Sequence, residues 1–318
     1  MEPPADPVTP SPSHAQTLVQ WLRFLRWPNL VIIAATMSLV RYAVIEPHLA
    51  LPGLFAVSTA GFVVMVISTM LIAAAGYVAN DLVDQKIDEI NRPGRVHVGR
   101  LISADGANRL AMFLFVASAL ALIPLLWTTG FEWWEAVFPL SGAGLLAYAY
   151  GLKCKPVIGN LVVSVLSALI PLLVFYAERP GLHVDSLRPV TILVWGYAAF
   201  AFATSLFREV IKDLEDVKGD EIFGCSTLAV IRPGAADRLA RATLALIPFG
   251  LVTFLVVIDA EVLAALAALG LVGLPLGLAA RALWPRGIHP RETYARISLW
   301  TKLTMLGGLA LLPLLAGG

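Results

Sequence analysis

Long blocks of apolar residues, separated by short polar connections, run along almost the whole chain. About nine of these blocks reach the roughly 20 residues that an α-helix needs to cross a bilayer. With 58% hydrophobic and 14% charged residues, the chain is too apolar for an ordinary soluble domain. We therefore predict an all-α, polytopic membrane protein with about nine transmembrane helices around a central apolar cavity. The predicted segments cover residues 18–45, 51–80, 108–128, 134–152, 157–177, 190–212, 236–258, 261–283 and 293–316.

The amino-terminal residues differ in composition from the rest of the chain. Residues 1–16 are rich in Pro, Ser and Thr and contain no Lys or Arg, so they lack the basic region of a secretory signal. We predict a disordered tail over 1–16 and one transmembrane domain over 17–318.

The basic residues predict the orientation in the membrane. Of the 23 Lys and Arg residues, all but Arg41, Arg179 and Arg188 fall on one side of the predicted segments. Basic loops stay in the cytoplasm, so we expect a multi-pass protein of the cell (inner) membrane with a cytoplasmic amino terminus. Segments two and six then end on the same, cytoplasmic side. The net charge of +1 is spread over loops and forms no basic face, so no nucleic-acid partner is expected.

Acidic residues gather at the ends of these two segments with helical spacing. Carboxylates on one helix face repel each other unless a cation lies among them. Oxygen ligands at this spacing suit Mg²⁺, which bridges a few carboxylates to substrate phosphates. The sequence thus predicts a site for Mg²⁺ and a diphosphate, with its metal ligands among Asn80, Asp81, Asp84, Asp88, Asp213, Asp216 and Asp220.

Polar and basic residues near the acidic ends are candidates for binding the diphosphate. Arg92 is preferred, because its planar guanidinium matches phosphate oxygens. The full candidate set is Asn80, Arg92, Arg95, Lys153, Arg208 and Lys212. The only two cysteines, Cys154 and Cys225, are too few for a disulfide framework. Both fall in predicted cytoplasmic loops, so we expect labelling from the cytoplasmic side if they are accessible at all.

Two stretches of this sequence resemble the signatures of a known family. The first runs Asn80-Asp81-x-x-Asp84-x-x-x-Asp88 and continues Ile90-Asn91-Arg92-Pro93-x-Arg95. The second runs from Arg208 through Asp213 and Asp216 to Asp220, and ends Gly224-Cys225-Ser226-Thr227-Leu228. Together they resemble the UbiA-type intramembrane prenyltransferases. The second stretch, with Tyr150-Gly151-Leu152-Lys153 before Pro156-Val157-Ile158-Gly159-Asn160, is most similar to the digeranylgeranylglyceryl phosphate synthase branch. One departure is Arg95-Val96-His97-Val98-Gly99-Arg100, where the family often has a Pro-rich turn and Ser-Gly.

The resemblance implies a Mg²⁺-dependent enzyme that transfers a prenyl group, in this branch geranylgeranyl, from a prenyl diphosphate to a lipophilic acceptor. It implies that Asp84, Asp88, Asp213 and Asp216 are the catalytic residues and that geranylgeranylglyceryl phosphate is the acceptor. An aromatic acceptor such as 4-hydroxybenzoate, homogentisate or a naphthoate is the alternative within the same chemistry. From a different class, the helices could form a cation-coupled transporter, although transporters tend to place their coupling acids near the bilayer midplane.

Overall fold

Helices make up nearly all of the chain that the computed structural model describes, which is residues 14–91 and 96–316. Within these residues only two isolated β-bridges occur, Leu49 with Leu182 and Val98 with Ile102, so the all-α prediction is confirmed. The α-helices are α1 His14–Phe24, α2 Trp27–Leu39, α3 Thr59–Val83, α4 Gln85–Asn91, α5 Ala104–Thr129, α6 Val137–Ala147, α7 Ile158–Glu178, α8 Leu187–Ile222, α9 Leu228–Ile231, α10 Pro233–Val257, α11 Val262–Ala268, α12 Leu274–Leu283 and α13 Arg291–Ala316.

Eight helical stretches in the described residues are long and apolar enough to cross a membrane. The predicted segment at 134–152 is also helical, but it is not among these eight stretches. It consists of a 3₁₀ turn at Trp133–Ala136, then α6, then a π-helical turn at Tyr148–Leu152. The eight stretches are Trp27–His48, Thr59–Val83, Ala104–Thr129, Ile158–Gly181, Val184–Ile222, Pro233–Val257, Val262–Leu283 and Arg291–Ala316.

The first predicted segment is broken near its start, so its prediction as one helix from residue 18 was wrong. Helix α1 ends at Phe24 and α2 begins at Trp27, with Arg26 in the left-handed region at φ 52°. Pro28 lies in the first turn of α2, where a missing N–H costs nothing, whereas inside a longer helix it would remove a hydrogen bond. Helix α1 starts at His14, inside the predicted tail, and residues 1–13 lie outside the described residues.

Helix α8 occupies the centre of the packing and contacts α7, α10 and α13, while α3 packs against α5 and α6. It has 36 residues, so at 1.5 Å per residue it is about 54 Å long, against roughly 30 Å for the bilayer core. Its carboxyl-terminal part, which carries Asp213, Asp216 and Asp220, therefore extends beyond the length needed to cross.

A fully buried ion pair joins the π-helical turn Val40–Ile45, which continues α2, to the carboxyl end of α7, the end away from Lys153. The side chains of Arg41 and Glu178 are 0% and 1% exposed, and Arg41 Nη1 lies 3.0 Å from Glu178 Oε1. Arg41 also donates to the Val57 carbonyl at 2.7 Å, while the Val57 N–H donates to Glu178 Oε2 at 3.2 Å. The Phe55 ring covers the guanidinium, with 4.0 Å between its centroid and the guanidinium carbon. This pair fixes the loop before α3 to two helices.

Candidate active site

The two acidic segments meet through one asparagine. Asn91, the last residue of α4, donates its Nδ2 to the Asp216 carbonyl at 3.0 Å and accepts from the Gly219 N–H at 3.0 Å. A Cβ atom at Gly219 would lie 2.4 Å from Asn91 Nδ2, so the contact requires glycine at this position. The carboxyl end of the first segment is thus held against the last turns of α8.

The first acidic segment is divided by the end of a helix and does not form one uninterrupted stripe. Asn80 and Asp81 lie on α3, Asp84 caps its carboxyl end at φ −84° and ψ 0°, and Asp88 lies half-buried on α4. The backbone N–H groups of Asp84 and Asp88 still donate to the carbonyls of Asn80 and Asp84, each at 2.8 Å. The helical spacing predicted from the sequence therefore survives the break.

Asp84 has protein donors on both carboxylate oxygens. Lys153, just after the π-helical turn, forms an ion pair with Oδ1, and Asn80 Nδ2 donates to Oδ2 at 2.7 Å. The other end of the Asn80 amide, Oδ1, is buried and has no hydrogen-bond partner. A buried oxygen without a partner is expected to bind a ligand, either a cation or a hydrogen-bond donor.

The second acidic segment shares the electrostatic surroundings of the first. Asp213 Oδ2 accepts a hydrogen bond from Asn160 Nδ2 at 2.9 Å. The Asp220 carboxylate interacts with the charges of Asp84 and Asp216, and also with Lys153. The carboxylate at the end of α3 therefore repels a carboxylate of α8 across the space between the two segments.

Asp81 has a cationic partner from the break between α1 and α2. Arg26 Nη2 lies 2.5 Å from Asp81 Oδ1, and the guanidinium carbon lies 4.9 Å from the centre of the Tyr77 ring. Burial disfavours the charged guanidinium, but Asp81 and Tyr77 outweigh it, so the pKa of Arg26 is raised above its ordinary value. A metal-binding role for Asp81 would have to compete with this ion pair.

Two of the predicted diphosphate ligands pair with an acid that sequence reasoning did not single out. Arg208 Nη1 lies 2.8 Å and Lys212 Nζ 3.5 Å from the carboxylate of Glu209, which is buried. Glu209 therefore offsets part of the positive charge expected there. The other two predicted arginines, Arg92 and Arg95, lie outside the described residues.

The carboxylates do not form a complete metal site by themselves. In the described part of the chain no three His, Cys, Asp or Glu side chains come close enough to hold a metal ion. Mg²⁺ commonly uses only one or two carboxylates, keeps several waters and takes its remaining ligands from substrate phosphates. The buried Asn80 Oδ1 and the nearby carboxylates fit that mode of binding, with a diphosphate completing the coordination.

The sequence matches the model of the UbiA prenyltransferase family over residues 25–302. The chain belongs to this family. A similar relative, digeranylgeranylglyceryl phosphate synthase from Methanobrevibacter smithii, is 31% identical over 204 residues, which is 63% of this chain and 65% of that protein.

Solved structures of the UbiA fold superimpose on most of the chain. A structure of digeranylgeranylglyceryl phosphate synthase in membranes gives a TM-score of 0.63 at 19% identity, covering 94% of this chain and 98% of the other. A UbiA homolog from Archaeoglobus fulgidus, bound to GPP and Mg²⁺, gives 0.58 at 14% identity, covering 92% and 99%. These likenesses confirm the predicted fold class. The eight apolar helical stretches and the family membership confirm a multi-pass membrane protein.

The two cysteines of this UbiA-family chain are paired, so neither is a free thiol accessible to labelling in this state. Cys154 and Cys225 form a disulfide with their Cα atoms 4.6 Å apart. The adjacent Ser226 N–H donates to the Cys154 carbonyl at 3.0 Å. The bond joins the residue after Lys153 to the loop after α8. Sequence spacing alone could not predict this, because the partners are 71 residues apart.

Labelling with a maleimide measures this pairing. In the oxidised protein we expect no labelled cysteine, because a disulfide sulfur is not a nucleophile, and two labelled cysteines after reduction and unfolding. Mass spectrometry of the intact chain counts the added groups. Labelling of both cysteines in native protein purified under oxidising conditions would contradict the disulfide.

Proposed function

We propose that this protein transfers a prenyl group, geranylgeranyl in our assignment, from a prenyl diphosphate to a lipophilic acceptor in a Mg²⁺-dependent reaction. The observation that carries the proposal is the joining of two acidic segments through Asn91, with Lys153 paired to Asp84 beside them. Membership of the UbiA prenyltransferase family supports it.

The proposed acceptor is geranylgeranylglyceryl phosphate. Several relatives named digeranylgeranylglyceryl phosphate synthase, at 31–37% identity, support this choice over an aromatic acceptor. The donor assignment has separate support, since a UbiA homolog of the same fold was solved with GPP and Mg²⁺.

The reaction breaks the bond between the allylic carbon and the diphosphate oxygen, and the diphosphate leaves with the bonding electrons. The acceptor hydroxyl attacks that carbon, and its proton passes to the released diphosphate as the ether bond forms. Bound Mg²⁺ would neutralise charge on the leaving diphosphate. We assign one ion to Asn80, Asp84 and Asp88, and the other to Asp213 and Asp216.

Basic side chains add to this stabilisation of the leaving group. Lys153 lies next to Asp84, where it can also bind a phosphate oxygen of the departing diphosphate. Apolar helices around the site keep water from the allylic carbon as positive charge develops on it. We assign further diphosphate contacts to Asn80, Arg92, Arg95, Arg208 and Lys212, and supporting roles to Asp81 and Asp220.

We further propose that residues 17–318 form one transmembrane domain in the cell (inner) membrane, with a cytoplasmic amino terminus and a site that opens to the cytoplasm. The distribution of Lys and Arg supports this orientation.

The test of the proposed function is an acceptor screen in nanodiscs with a labelled C20 diphosphate. The panel contains geranylgeranylglyceryl phosphate, 4-hydroxybenzoate, homogentisate and a naphthoate. We expect diphosphate release together with a labelled ether lipid. If only an aromatic compound gave product, the proposed acceptor, geranylgeranylglyceryl phosphate, would be wrong. If no acceptor led to diphosphate release, the enzyme assignment would be overturned.

Metal removal gives a second test of the same chemistry. With the preferred acceptor, EDTA should abolish diphosphate release and excess Mg²⁺ should restore it, because clustered carboxylates otherwise repel the diphosphate. An EDTA–Mg²⁺ mixture with no free chelator is the matched control. Full turnover in free chelator would contradict the metal assignment.

A further inference from the structure

We propose that Asn160 is a positioning residue, which orients the Asp213 carboxylate for binding a divalent cation together with diphosphate. The inference rests on the proposed function and assigns to Asn160 a role exerted through Asp213. Asn160 lies in the first turn of α7, is 7% exposed, and donates its Nδ2 to Asp213 Oδ2 at 2.9 Å.

The start of α7 is fixed against the segment that carries Lys153. A Cβ atom at Gly159 would lie 2.8 Å from the Lys153 Cα and 3.0 Å from the Leu152 carbonyl oxygen, so only glycine permits this close approach. Asn160 follows directly. The backbone that presents Lys153 to Asp84 is therefore packed against the turn that presents Asn160 to Asp213, which couples the two acidic segments through α7.

The Asp213 carboxylate would have other partners without this hydrogen bond. Lys212 attracts it, while Glu209 and Asp220 repel it. A neutral amide donor fixes the carboxylate in one orientation and adds no charge. It uses one oxygen and leaves the negative charge of the group for a cation. Partners that hold a ligand in this way commonly change metal affinity 10–100-fold when removed.

A second polar contact between the same two helices provides a matched control. Ser167, two turns further along α7, hydrogen bonds to Ser205 of α8 at 3.2 Å between the two oxygens. Its removal deletes one hydrogen bond between α7 and α8, as the loss of the Asn160 donor does, but leaves the acidic residues untouched. A general packing defect would therefore affect Ser167→Ala as well as a variant at Asn160.

The experiment measures Mn²⁺ binding by electron paramagnetic resonance in nanodiscs with inorganic diphosphate present, and the Mg²⁺ concentration for half-maximal transfer. Asn160→Leu keeps the size of the side chain and removes the donor. We expect its Mn²⁺ affinity to fall about 10–100-fold and its Mg²⁺ requirement to rise in parallel. The kcat at saturating Mg²⁺ should change little, and Ser167→Ala should match the wild type in every measurement.

Wild-type Mn²⁺ affinity in Asn160→Leu would overturn the inference, as would an equal loss in Ser167→Ala or no Mn²⁺ binding by the wild type. If Asn160→Leu does not fold, Asn160→Gln decides instead, because it keeps the amide but displaces the donor by one methylene, and it should also weaken Mn²⁺ binding. If the wild type binds Mn²⁺ with this dependence on Asn160 but transfers no prenyl group, the proposed function is overturned and the inference about Asn160 stands.

Discussion

Asp84→Asn and Asp216→Asn should each lower the turnover number about 10²–10³-fold while the protein still inserts and folds. Neutralising a carboxylate removes a ligand charge with almost no change in side-chain size. The lost stabilisation matters most as the leaving diphosphate gains charge, and a single contact of this kind is worth roughly 2.7–4 kcal/mol. Asp84→Asn also leaves Lys153 without its carboxylate partner.

The double mutant separates one shared site from two independent ones. If both residues act on the same diphosphate, Asp84→Asn/Asp216→Asn should be little worse than the poorer single mutant, since residues that act as a unit are not additive. Steady-state diphosphate release measures all three variants, and Asp185→Asn, at a residue whose side chain is 91% exposed, is the control. Near wild-type turnover in Asp216→Asn with an inactive Asp84→Asn would exclude a shared site.

Arg41→Met should lower the free energy of unfolding by about 3–5 kcal/mol, the second large effect that we expect. Removal of one partner leaves Glu178 as an uncompensated charge in a site where its side chain is 1% exposed. The Val57 carbonyl also loses its donor. Arg41→Met/Glu178→Leu should be less destabilised than the sum of its single mutants, because no buried charge then remains.

Unfolding in detergent, followed by circular dichroism against denaturant, measures this effect. The control is Arg179→Met, at an exposed arginine next to Glu178 in the chain, which should change stability by about 0.5 kcal/mol or less. Equal stability of Arg41→Met and Arg179→Met would mean that the buried pair does not hold the loop before α3. Turnover at permissive temperature should remain, since this pair lies at the other end of α7 from Asn160.

The helices and the positions of the acidic residues follow from local sequence features, and for that reason they could be predicted. Apolar blocks of spanning length specify α3 and α8. The acidic residues follow these blocks, which places Asp84 at the carboxyl end of α3 and Asp213 in the carboxyl-terminal part of α8. The break at Arg26 was missed, although Pro28 two residues later is a local signal for a helix start.

The pairing of side chains could not be predicted, because it depends on which helices pack together. Nothing near Glu209 in the sequence distinguishes a partner of Arg208 and Lys212 from a solvated charge. Arg41 was predicted only as one of three basic residues on the outer side, and its partner is revealed by the packing of the π-helical turn Val40–Ile45 against α7. The sequence gives only a weak indication of the roles of Asn91 and Asn160, because all it shows is that both amides lie close to acidic and basic residues of the two motifs.

The central claim is that both acidic segments bind one diphosphate. Isothermal titration calorimetry with a non-reactive prenyl diphosphate analogue, in nanodiscs with Mg²⁺, tests it without any assumption about the acceptor. We predict one bound molecule per chain in the wild type and a loss of binding in both Asp84→Asn and Asp216→Asn. Binding of wild-type strength and stoichiometry in either variant would contradict the claim.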